Sequence, residues 1–76
     1  MSRQRRVNAR PVLAALKRAG FQELPGKATG HRQLRRSDGS GRVTVPVHGG
    51  EAISPKILAS ILRQASLTAE EFQALL

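Results

Sequence analysis

Seventy-six residues with a formal net charge of +8, two phenylalanines as the only aromatic residues and no cysteine make one small domain, able to bury roughly 60% of the unfolded chain's surface. The lack of cysteine excludes a disulfide framework and a thiolate zinc site, and it fits a reducing compartment, with the cytoplasm as the expected location. No apolar run approaches the ~20 residues of a membrane span and none follows the basic N-terminus, so neither a transmembrane helix nor a signal peptide is expected.

Charge is spread unevenly. Up to Arg42 there are eleven basic and two acidic residues, net +9, against two basic and three acidic beyond it, net −1. Such asymmetry suits a polyanion, because neutralising phosphates and releasing their counterions drives sequence-independent nucleic-acid binding. A membrane surface would call for an amphipathic helix opposite the basic residues, and Arg3 to Arg6 offers none, so no membrane partner is expected.

Residues 1–7 read as a flexible basic arm and 8–76 as a single domain. Asn8 is placed as an N-cap, Pro11 falls in a first helical turn, and Val12, Leu13, Leu16 and Ala19 form an apolar stripe, predicting a helix over about 9–19. Lys17 and Arg18 complement its dipole, and Gly20 ends it. Phe21-Gln22-Glu23-Leu24, punctuated by Pro25-Gly26, reads as a short strand with Phe21 in the core.

Over 31–36 a second strand turns His31, Gln33 and Arg35 one way and Arg32, Leu34 and Arg36 the other, with Leu34 its one apolar member. A hairpin loop, Ser37-Asp38-Gly39-Ser40-Gly41, leads to a third strand over 42–47, in which Val43 and Val45 share the core face. His48-Gly49-Gly50-Glu51 is a connector. Ser54-Pro55 starts a helix over about 55–65, with Ile57, Leu58, Ile61, Leu62 and Ala65 as its stripe. Thr68 and Glu71 have capping-box spacing before a short terminal helix carrying Phe72, Leu75 and Leu76. The expected fold is α+β, order α-β-β-β-α-α: a three-stranded antiparallel sheet with its helices on one face and the other face open to water and to a ligand.

Chemistry concentrates in Gly26-Lys27-Ala28-Thr29-Gly30-His31-Arg32-Gln33-Leu34-Arg35-Arg36, where a short loop with a glycine at each end delivers one imidazole among fixed cations. His31 reads either as an ordinary strand-edge residue on a solvated basic face or as an acid–base group. An imidazole can give and take a proton near neutrality, guanidinium groups stabilise charge developing on phosphorus, and RNA carries its own nucleophile in the 2′-hydroxyl. The five acids, Glu23, Asp38, Glu51, Glu70 and Glu71, are scattered, and His31 and His48 lack ligand spacing, so neither a metal site nor a cofactor is expected.

Leu16-Lys17-Arg18-Ala19-Gly20-Phe21, the turn before His31, Val43-Thr44-Val45-Pro46-Val47-His48-Gly49, and Ile53 through Ser60-Ile61-Leu62-Arg63-Gln64-Ala65 together resemble the HicA toxins, over residues 11–76. The resemblance implies a double-stranded-RNA-binding-domain-like fold, mRNA cleavage that arrests translation, and neutralisation by a HicB-like antitoxin. In that family the turn reads Gly-Ser-His-His or Gly-Ser-Asn-His and its last histidine is catalytic. Here the aligned residues are Ala28-Thr29-Gly30-His31, so His31 is kept, Thr29 retains a hydroxyl, and Ala28 and Gly30 depart from the pattern. His48 matches the family's Pro-x-His and is read as capping or orienting a loop.

The expectation is a metal-independent endoribonuclease with His31 as catalytic residue and Lys27, Thr29, Arg32, Arg35 and Arg36 binding mRNA. A rival is an RNA-binding module of the same fold that does not cut, and a remoter one is a DNA-binding accessory subunit. With only Phe21 and Phe72 available, stacking on single strands is disfavoured in each. The antitoxin is expected to lay carboxylates over the basic face, the alternative being that it grips the helices.

Overall fold

A helix, a three-strand meander and two further helices account for most of the chain. The computed structural model describes residues 7–25, 30–47 and 52–76. In order these form β1 (Val7–Asn8), α1 (Ala9–Arg18), β2 (Phe21–Glu23), β3 (His31–Arg36), β4 (Arg42–Pro46), β5 (Ala52–Ile53), α2 (Pro55–Ala65) and α3 (Ala69–Leu75). Strands β2, β3 and β4 make one antiparallel sheet with β3 at its centre, which is the expected α+β architecture.

The two-residue strands β1 and β5 were not expected. They pair antiparallel, Val7 opposite Ile53 and Asn8 opposite Ala52, so the last residue assigned to the basic arm, Val7, takes part in backbone pairing. Residues 1–6 of that arm, the loop positions 26–29 and the connector 48–51 lie outside the described residues.

Each helix boundary has a local cause. Asn8 occupies the N-cap of α1 with extended backbone, although its side chain makes no capping bond. Helix α1 ends at Arg18, and Gly20 takes φ +102°, a region that suits glycine after a helix. Ser54 Oγ accepts the Ile57 N–H at 3.3 Å to start α2, with Pro55 at the first position. Helix α2 closes with the Leu67 N–H on the Leu62 carbonyl at 2.9 Å, while Ser66 sits left-handed at φ +58°. The expected capping box of α3 is formed: Thr68 Oγ1 accepts the Glu71 N–H at 3.0 Å, and Glu71 Oε1 accepts the Thr68 N–H at 2.8 Å.

The inner sheet face and the helices share one apolar core. Phe21, Leu34, Val43 and Val45 from the sheet meet Val12, Ala15 and Leu16 of α1, Ile61 and Ala65 of α2, and Phe72 of α3. Fully burying a side chain of the Leu34 or Val43 kind contributes about 1.5–3 kcal/mol. Ile57, counted in the α2 stripe, is instead 40% exposed, and Leu58 and Leu62 pack against the core only partly buried. Helix α2 also covers the β4 edge, because Gln64 Oε1 accepts the outward Thr44 N–H at 3.1 Å and Gln64 Nε2 donates to Ser60 Oγ at 3.2 Å. One outward N–H of this strand edge is thereby satisfied within the chain.

Candidate active site

Strand β3 divides its polar side chains between two faces. His31, Gln33 and Arg35 are exposed on the outer face, whereas Leu34 is fully buried between the half-buried Arg32 and Arg36 on the inner one. Register places His31 opposite Pro46, Gln33 opposite Thr44, and Arg35 opposite both Gln22 and Arg42. Residues opposite one another share a face, so the outer surface carries His31 toward one end and an arginine pair toward the other.

His31 is positioned by backbone. The Val47 N–H donates to the Gly30 carbonyl at 2.6 Å, locking the ladder one residue before His31. Gly30 itself takes φ +93°, so the turn into the strand uses a conformation that side chains disfavour. At the other end of β3, the Ser37 N–H and Oγ both donate to the Gly20 carbonyl, at 2.9 and 3.0 Å. The Ser40 N–H and Oγ both donate to Asp38 Oδ1, at 2.9 and 2.7 Å, and these bonds hold the Asp38 carboxyl below its usual range.

The inner-face arginines have intramolecular partners that the sequence reading did not include. Arg32 forms an ion pair with Glu23, whose other oxygen lies 3.4 Å from Lys17 Nζ. The Arg32 hydrogen bond is the main reason the Glu23 carboxyl is held below the usual carboxylate range, with Lys17 adding to it and burial opposing. Arg36 lies over the Phe21 ring, 4.7 Å from its centroid, and donates from Nη2 to the Ala65 carbonyl at 2.8 Å. That carbonyl belongs to the last turn of α2, where helical partners run out, so Arg36 ties the sheet to the helix end.

Of the expected site residues, His31 and Arg35 therefore share the open outer face. Arg32 and Arg36 are engaged on the other side, with Arg32 still 42% exposed at its side chain. Lys27 and Thr29, and the connector residue His48, lie outside the described residues. Arg42, which sequence reasoning counted only in the overall charge, stands on the outer face beside Arg35. Its signal was present in the strand pattern, since Val43 and Val45 face inward and Arg42 must face outward.

The arrangement is an exposed imidazole at the start of a rigid strand, on a cationic sheet face, suited to proton transfer on a polyanion bound across the surface. Among the described residues no three His, Cys, Asp or Glu side chains gather to hold a metal ion, and no helix is long and apolar enough to cross a membrane. No curated protein matches the chain. A family described as the HicA toxin of bacterial toxin–antitoxin systems matches over residues 9–67, which takes in α1, the meander and α2. With the matched segment covering most of the fold and the whole strand that bears His31, the chain belongs to the HicA toxin family.

Proposed function

We propose that this toxin is a metal-independent endoribonuclease that cleaves mRNA and arrests translation, with His31 as its catalytic residue. The observation that supports this most is the placement of His31: exposed, anchored through the Gly30–Val47 bond, and on the same face as Arg35. The substrate's 2′-hydroxyl loses its proton and its oxygen attacks the adjacent phosphorus, while the bond to the 5′-oxygen breaks and that oxygen gains a proton. His31 takes the first proton or supplies the second, and water serves the other transfer. Guanidinium groups offset the charge that builds on the phosphoryl oxygens.

Lys27, Thr29 and Arg35 are the proposed RNA contacts. Arg32, paired with Glu23, adds to the positive field on this part of the sheet, and Arg36 serves mainly to hold the fold. A toxin of a toxin–antitoxin pair has an antitoxin partner. We assign a HicB-like protein whose carboxylates cover the basic outer face and shut His31 away from mRNA in the cytoplasm.

The test is cleavage of a defined mRNA in excess EDTA with analysis of the new ends. A 2′,3′-cyclic phosphate and a 5′-hydroxyl are expected. Activity that disappears in chelator and returns with a divalent ion would overturn the reading, and RNA bound without any cleavage would favour a binding module.

A further inference from the structure

Arg35 and Arg42 stand directly opposite each other across β3 and β4. The Arg36 N–H donates to the Gly41 carbonyl at 3.2 Å, which makes the next pair along, Arg35 with Arg42, a non-hydrogen-bonded one. In such pairs the Cα atoms approach to about 4.5 Å and the side chains are at their closest. Like charges at directly opposed positions are destabilising. Both side chains are exposed, and among the described residues neither has an acidic partner. The acid in the adjoining loop, Asp38, is occupied by Ser40.

We propose that Arg35 and Arg42 form a two-guanidinium clamp for one backbone phosphate of RNA. The proposal rests on the RNA reading above and extends it by a residue outside the expected site. Three features support it. The pair shares the outer face with His31, four residues along β3 or about 13 Å away, so a strand laid along β3 meets the clamp a few nucleotides from the bond at His31. The other two β3 arginines are turned inward and partnered, so the repulsion at this pair is not a by-product of general arginine crowding. Finally, the hairpin below it is fixed by the Asp38–Ser40 and Ser37–Gly20 bonds, so the two groups are held together before a ligand arrives. A phosphate between two guanidinium groups replaces repulsion with two charge-assisted contacts.

The experiment uses the full chain and a fully 2′-O-methylated single-stranded RNA, which cannot be cleaved, with affinity read by anisotropy across a salt series. Arg35→Gln and Arg42→Gln should each weaken binding about three- to tenfold and lower the steepness of log K against log[salt] by about 0.7. The double variant should lose less than the product of the single losses, because both groups hold one phosphate. Each single variant should melt no lower than wild type, which separates lost binding from lost folding. Arg42→Gln with wild-type affinity and slope would overturn the clamp, as would a loss of antitoxin binding alone, which would assign the pair to the protein partner. An equal loss in Lys56→Gln, on the exposed side of α2, would reduce the effect to net charge and also overturn it. Wild type that binds with no salt dependence would remove the clamp and the nuclease reading together.

Discussion

The Arg36 guanidinium carbon lies over Phe21, 4.7 Å from the ring centroid, and the same group donates to the Ala65 carbonyl at 2.8 Å. One side chain thus joins β2, β3 and the end of α2. Arg36→Ala should lower unfolding free energy by about 1–2 kcal/mol, combining a partly exposed cation–π contact with a charge-assisted hydrogen bond. Arg36→Lys should recover only part of the loss, since an ammonium cannot stack and reach the carbonyl in the same geometry. Urea denaturation of the three chains checks this, and unchanged stability in Arg36→Ala would contradict it.

Glu23 gives the fold a pH dependence of known sign. Its carboxyl is held below the ordinary carboxylate pKa by Arg32 first and Lys17 second. The charged form is therefore preferred in the folded state, and its contribution is fully present above the unfolded value, near pH 4.5. It is lost as pH falls through the lower folded value. Because Arg32 and Lys17 are 42% and 54% exposed, the contribution is below about 1 kcal/mol after solvent screening. Glu23→Gln should be less stable than wild type at pH 7, and the gap should narrow toward pH 3. A gap that widens on acidification would reverse the assignment.

The legible parts of the fold are those written locally. The Ile61-Ala65 spacing and Ser54-Pro55 give α2 its observed limits, and Thr68-x-x-Glu71 gives the capping box. In β3 the position of Leu34 fixes which side chains face inward. The β1–β5 ribbon was not legible, because two-residue strands 44 or more positions apart carry no periodicity of their own. Nor were the partners of Arg32 and Arg36. Alternation puts both arginines on the inner face, but only the β2–β3 register brings Glu23 and Phe21 to them. Thus the candidate histidine could be named from its turn and strand, whereas the sorting of its neighbouring cations required tertiary pairing.

Gly30 carries a conformational demand at the site itself. At φ +93° an alanine is strained, and Gly30→Ala should lower stability by about 1–2 kcal/mol. Because the Gly30 carbonyl also anchors the ladder beside His31, RNA cleavage should fall by more than the loss of folded protein accounts for. Cleavage rate normalised to folded fraction is the measurement, and a normalised rate equal to wild type would show that the turn does not position the imidazole.

The most direct test of the account is His31→Ala in the full chain, expressed without antitoxin and also purified. His31 is exposed on the outer face, so its truncation should leave the melting temperature close to wild type and RNA affinity within a few-fold, while cleavage falls by about two to four orders of magnitude and growth arrest is lost. A folded His31→Ala protein that still cleaves RNA and still arrests growth would contradict the assignment of His31 as the catalytic residue.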